Sequence, residues 1–188
     1  MGKSRASDVV GFVLAAAVVG ALTGLAAASF RVLLDHATLW RASLSHWSHG
    51  SWWGPFVVIA ICAVCTAAAA SLVRRVEPNA EGSGIPRVEA VVAGRAEPGR
   101  FRILPIKYLG GLLSLGSGLA LGREGPSVQM GGSIAIIVAS ATRRSQADLR
   151  VLAAAGAAAG LATAFNAPIA GGVFVLEELV KRFDPRTT

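Results

Sequence analysis

The residues best placed for chemistry are an arginine and a glutamate between two apolar runs, in the stretch Gly122-Arg123-Glu124-Gly125-Pro126. Neither run, Tyr108–Leu121 or Ser127–Ala141, reaches the about 20 apolar residues that a helix needs to cross a bilayer. Charged residues at such a junction are costly unless they face water or a substrate path. Because Pro126 suits the first turn of a helix, the second run is predicted to be a half-helix whose positive N-terminal end points into the protein. Membrane transporters hold anions at mid-depth in this way.

Two more interruptions break the apolar pattern elsewhere. Gly82-Ser83-Gly84-Ile85-Pro86 precedes a short helical pattern, Val88–Val92, with Ser83 near the expected cap and Pro86 in the first turn. Phe165-Asn166-Ala167-Pro168 cuts the uncharged segment Val151–Leu176. Since the residue before a proline avoids helical geometry, one helix should stop near Asn166 and another begin at Pro168. Taken alone, Gly82–Pro86 would be interpreted as a turn. A glycine-rich stretch with a proline before a short helix occurs again at Gly122–Pro126, and this repetition favours a helix start at both places.

A pair of carboxylates, Glu177 and Glu178, closes the last apolar piece and is followed by Lys181 and Arg182. Two carboxylates at a helix end are often simply solvated. From spacing alone, a solvated pair and a functional pair remain equally good interpretations.

The composition predicts an all-α integral membrane protein. Of the 188 residues, 53% are hydrophobic and 15% charged, whereas soluble domains carry fewer apolar and more charged residues. Full spans are expected near Val9–Leu34 and Gly54–Arg74, joined by a polar and aromatic connection, Arg31–Trp53. The net charge of +7 fits the positive-inside rule, which places the N-terminus and the segment Arg74–Lys107 on the cytoplasmic side. Nucleic-acid binding is not expected, because no basic stripe is interleaved with aromatic residues.

An enzyme is the weakest alternative. The sequence shows no nucleophile–base pair, no metal-ligand cluster and no phosphate loop followed by lysine, so no cofactor and no metal are expected. The spacing of His36, His46 and His49 fits no standard zinc pattern. Cys62 and Cys65 lie within an apolar helical pattern, where cysteine packs as a small hydrophobe.

Together these motifs resemble the chloride channel (CLC) family of anion channels and proton-coupled antiporters. The resemblance rests on three segments in the same order and spacing, and it covers nearly the whole chain. They are Gly82–Pro86, Gly122–Pro126 and Ala153–Glu178. It implies a multi-span membrane protein with broken half-helices and a chloride ion bound near mid-membrane.

The resemblance also implies roles for particular residues. Ser83 would coordinate the central anion, with the backbone amides of Gly84 and Ile85 completing the cradle. Glu124 would occupy an external anion site as a gate and carry a proton. Glu178 would receive the proton on the inner side, as in antiporters, with Glu177 beside it.

One large departure concerns the second half of the family's architecture, which consists of two inverted halves. Residues 1–188 match only the first half, and Tyr108 is not at the position of the tyrosine that completes the family's anion site. A smaller departure is Arg87, where an acidic residue is common. We therefore expect a fragment, a truncated product or half of a split protein, with a second-half polypeptide as partner and a homodimer when complete.

The function expected from sequence is chloride/proton antiport once a second half is present. Its partners would be chloride ions, protons and a lipid bilayer, here a bacterial-type inner membrane. A passive voltage-gated-type chloride channel is one alternative, against which Glu178 argues. A truncated remnant that sits in the membrane without transporting is the other.

Overall fold

The chain folds into helices that pack around one central helix. A computed structural model describes the backbone of residues 2–180 and the side chains of residues 8–178. The α-helices are α1 (Gly2–Ser48), α2 (Gly54–Val76), α3 (Ile85–Val92), α4 (Ile103–Gly116), α5 (Glu124–Ala141), α6 (Gln146–Phe165) and α7 (Pro168–Phe174). A 3-10 turn covers Pro78–Ala80, and a π-helical turn covers Val175–Val180.

Three of the described helices are long and apolar enough to cross a membrane: α1 from Asp8, α2 and α6. The first two present large apolar side chains outward, such as Leu25 (70% exposed) and Ile59 (65% exposed). An outward apolar surface of this kind is suited to lipid rather than water. The fold is therefore that of an all-α integral membrane protein, as the sequence predicts.

The connection predicted over Arg31–Trp53 is wrong for most of its length, because α1 continues to Ser48. No glycine or proline interrupts the chain between Leu25 and His49, so polar residues simply follow apolar ones on one continuous helix. At about 1.5 Å per residue its 47 residues extend about 70 Å. The apolar run ends long before the helix does.

The break at Glu124 is confirmed, although the first helix of the pair has other bounds than expected. Helix α4 begins at Ile103, already contains Lys107, and ends at Gly116. The chain then leaves helical geometry, with Gly118 at φ 96°, and α5 starts at Glu124.

The break near Asn166 is also confirmed. Asn166 adopts the left-handed conformation at φ 56° and ends α6, and Pro168 opens α7. At its other end α6 is capped by Ser145, whose hydroxyl accepts a hydrogen bond from the Asp148 amide. Lys181 and Arg182 lie outside the described residues.

Glycine contacts fix α5 against α6 at the centre of the fold. A Cβ atom on Gly156 would overlap the carbonyl group of Gly131, and one on Gly160 would overlap the carbonyl oxygen of Ser127. The two backbones therefore touch, as the spacing of Gly156 and Gly160 predicts. Because the contact of Gly160 with Ser127 lies in the first turn after Glu124, it fixes the start of α5 against α6.

Candidate anion site

The starts of two helices, α3 and α5, meet in the interior. A Cβ atom on Gly125 would lie 2.6 Å from the carbonyl oxygen and 2.9 Å from the Cβ atom of Ser83. Only glycine allows this approach. The structure therefore brings Ser83 next to Gly125, the residue that follows Glu124, although 42 positions separate Ser83 from Gly125 in the sequence.

The turn around Ser83 depends on its glycines. Gly82 and Gly84 have φ values of 68° and 82°, a region that side chains other than glycine rarely adopt. Gly84 is the N-cap of α3 and has no side-chain cap, so the first amides of the helix, including that of Ile85, have no partner within the helix. Free amides at a helix start are suited to an anion. Anion binding by Ser83, Gly84 and Ile85 stays a prediction.

Glu124 is the first residue of α5, and Arg123 before it offers no side-chain cap. The carboxylate of Glu124 folds back over Gly122, where a Cβ atom would overlap it. An acidic group in the first turn interacts favourably with the positive end of the helix. The carboxylate thus lies where an anion from outside would also be attracted.

A cavity of about 450 Å³ opens between α2, α4 and the two helix starts. Ser83, Gly122 and Pro126 belong to its wall, and its other polar side chains include Arg74, Glu81, Lys107 and Ser114. Gly84, Ile85 and Glu124 adjoin this wall and do not line it. The cavity joins the two predicted anion-binding turns in one space.

Lys107 is a residue that sequence reasoning missed. It is 5% exposed, and its ammonium donates hydrogen bonds to the carbonyl oxygens of Ala80, at 3.0 Å, and of Gly82. A charge between the apolar residues Ile106 and Leu109 was a signal in the sequence. The apolar pattern predicts a helix that begins at Tyr108, and this places Lys107 in the polar segment before the helix.

A polar chain also supports the Ser83 turn from the side of α5. Gln129, which is 2% exposed, donates from Nε2 to the carbonyl oxygen of Asn79 at 2.8 Å. Asn79 in turn donates from Nδ2 to the carboxylate of the buried Glu77 at 2.7 Å. Helix α5 therefore carries both Glu124 and a side chain that ties down the segment leading to Ser83.

Glu177 and Glu178 lie apart from this cavity, in the π-helical turn that follows α7. Both are exposed in the described structure. The preceding Val175 is buried in an apolar cluster with Val88 of α3 and Val128 of α5. The structure therefore does not bring these carboxylates to Ser83, but it does anchor their segment to both helices that form the site.

Comparisons with known proteins agree with this architecture. The family described as voltage gated chloride channel matches residues 65–188. A curated relative, the H(+)/Cl(-) exchange transporter ClcA of Cronobacter sakazakii, is 40% identical over 182 residues, which cover 96% of this chain and 39% of that protein.

Two solved structures are similar as well. A slow cyanobacterial Cl−/H+ antiporter superposes with a TM-score of 0.85 at 39% identity, over 89% of this chain and 40% of that one. A CLC-type fluoride/proton antiporter superposes with a TM-score of 0.75 at 25% identity, over 90% of this chain and 40% of that one. The chain thus spans about two fifths of the length of each of these relatives.

Proposed function

The chain belongs to the voltage gated chloride channel family, and on that premise we propose that it forms the first half of a chloride/proton antiporter. Residues 1–188 would supply the gate, one side of the anion site and the inner proton acceptor. A second half, carried by another polypeptide or by further sequence, would close the anion path. The working protein would be a homodimer in a bacterial inner membrane, with the N-terminus of this chain on the cytoplasmic side.

The observation that carries the proposal is the contact between Ser83 and Gly125, at the starts of α3 and α5. Two helix N-termini directed at one place concentrate partial positive charge and free amides there. A hydroxyl group at Ser83 adds a neutral donor, which suits a large and weakly basic anion such as chloride. Such a site would bind an anion through a hydroxyl donor, backbone amides and the partial charges of two helix ends.

The coupling between chloride and protons follows from competition for that place. The ionised carboxylate of Glu124 and a chloride ion are both monoanions, so they repel each other when close. Protonation neutralises Glu124 and lets chloride take the position beside the helix start. When chloride replaces the Glu124 side chain at this position, the displaced carboxyl group carries its proton with it. No covalent step is needed.

Antiport is favoured over a passive channel by Glu178, which would pass protons to the cytoplasmic side. Its segment packs through Val175 against Val88 of α3 and Val128 of α5, the two helices whose starts form the candidate anion site. The relatives at 39–40% identity are described as chloride/proton exchangers. The proposal gives this chain the same activity when a second half is present.

A flux measurement tests the proposal. This chain would be joined to the part of the cyanobacterial antiporter that it does not cover, and the joined protein would be reconstituted in liposomes. A chloride gradient should then drive proton uptake, recorded with a pH electrode. Chloride flux without proton uptake would show a channel, and no chloride flux would favour a non-transporting remnant. The chain without the added half is the control.

Anion choice gives a prediction for Ser83. Ser83→Pro removes both the hydroxyl and the backbone N–H donor of that residue, so the preference of the joined protein should move from chloride towards nitrate. Chloride and nitrate fluxes measured on the same liposomes decide the matter. Ser114→Ala, which removes a hydroxyl from the same cavity, should leave the ratio unchanged. An unaltered ratio in Ser83→Pro would count against anion binding by this serine.

A further inference from the structure

Lys107 is a buried cation without a carboxylate partner in the described part of the chain. Its side chain reaches the interior from α4, and the ion pair found among the described residues joins Arg95 to Glu89 instead. The ammonium contacts two carbonyl oxygens, those of Ala80 and Gly82. A buried charge needs compensation, and two carbonyl groups supply only part of it.

The two carbonyl groups belong to the segment that leads directly into Ser83. Lys107 of α4 and Gln129 of α5 therefore hold three carbonyl groups of this segment, those of Asn79, Ala80 and Gly82. The flanking Gly82 and Gly84 make the turn pliable. Without these ties, little in the turn itself would fix the direction of the Ser83 backbone.

The direction matters because a trans peptide sets its C=O and N–H groups in opposite directions. When Lys107 holds the Gly82 carbonyl, the Ser83 amide must point away from the lysine. A released carbonyl would be free to turn its negative end into the cavity that Lys107 and Ser83 share. An anion there would be repelled by it.

We propose that Lys107 is a positioning residue for the anion site, holding the Ser83 turn in the orientation that binds chloride and leaving its charge to be balanced by the bound anion. The inference rests on the proposed function and adds to it a residue on α4. Arg75 is exposed and does not line the cavity, and no hydrogen bond from its side chain reaches the described part of the turn. It is a matched control of the same charge.

The experiment compares Lys107→Met, Lys107→Gln and Arg75→Met in the joined protein purified in detergent. Chloride affinity is measured by calorimetry, and melting temperature in chloride and in gluconate. Hydrogen exchange is followed at the amides of residues 81–84. Lys107→Met should raise the chloride Kd about tenfold or more, the size expected when a hydrogen bond to a charged group is lost. It should also speed exchange in the turn and reduce the stabilisation by chloride, which depends on Kd.

The controls separate positioning from general stability. Arg75→Met should keep the chloride Kd within about threefold, since surface charges contribute little. Lys107→Gln keeps N–H donors without the charge, so exchange in the turn should stay closer to that of the unaltered chain while chloride affinity still falls. An unchanged chloride Kd or unchanged turn exchange in both Lys107 variants would overturn the proposal. So would equal weakening by Arg75→Met. A joined protein without these substitutions that binds no chloride would instead overturn the proposed anion site, and this inference with it.

Discussion

Glu124→Gln should abolish proton coupling in the joined protein while chloride still passes. The amide has nearly the shape of the protonated acid, so it leaves the start of α5 open to chloride. It cannot ionise, so it neither competes with chloride as an anion nor carries a proton. The structure places this side chain at the first position of α5, folded over Gly122 beside the cavity that contains Ser83.

The measurement is chloride-driven proton uptake in liposomes, with chloride efflux recorded in the same preparation. Glu81→Gln is the matched control, because Glu81 is an exposed carboxylate on the wall of the same cavity. It should retain coupling. If protons still move with chloride in Glu124→Gln, this glutamate is not the proton-carrying gate. If Glu81→Gln loses coupling to the same extent, the effect belongs to the charge of the cavity and not to the start of α5.

The helix breaks could be predicted from sequence because glycine and proline act on their own neighbourhood. Pro126 lies in the first turn of α5 and Pro168 opens α7, as the sequence indicates, and the left-handed residue Asn166 ends α6. The end of α1 could not be predicted in the same way. Hydropathy reports where lipid contact ends, whereas the backbone remains helical until Gly50 and the turn before Gly54 interrupt it.

The candidate site could be predicted only in part, because some of its contacts join residues that are far apart in the sequence. Ser83 and Glu124 lie within marked motifs, so each could be singled out before their contact through Gly125 was seen. Lys107 acts on carbonyl groups 25 and 27 positions away, and Gln129 on one 50 positions away. Such contacts depend on how the helices pack, and a single sequence does not reveal them.

Glu177 and Glu178 lie in a local structure that the sequence did not predict. Successive side chains of an α-helix are offset by about 100°, so two neighbouring carboxylates on such a helix would face different surroundings. The segment is π-helical, and the wider π turn makes the offset smaller. The two side chains still leave the backbone in different directions. Between them and Glu124 lies the apolar cluster of Val88, Val128 and Val175.

Under the proposed function, that apolar cluster predicts that Glu178 is a proton site separate from the gate. An ionised group cannot cross packed valines cheaply, so a proton that reaches Glu124 from the cytoplasm needs an acceptor on the inner side of the cluster. Glu178→Gln should therefore stop proton transport in the joined protein while chloride still passes. Glu177→Gln removes the same charge from the neighbouring residue and should reduce proton transport less.

Proton uptake driven by chloride, measured for both variants in liposomes of equal protein content, separates the outcomes. Loss of coupling in Glu178→Gln with retention in Glu177→Gln assigns the inner acceptor to one residue of the π-helical turn. Equal loss in both variants would make the pair a shared antenna at the surface, which fits their common exposure. Full coupling in Glu178→Gln would remove the main reason for antiport over a passive channel, because protons would then reach Glu124 by a route that does not need this carboxylate.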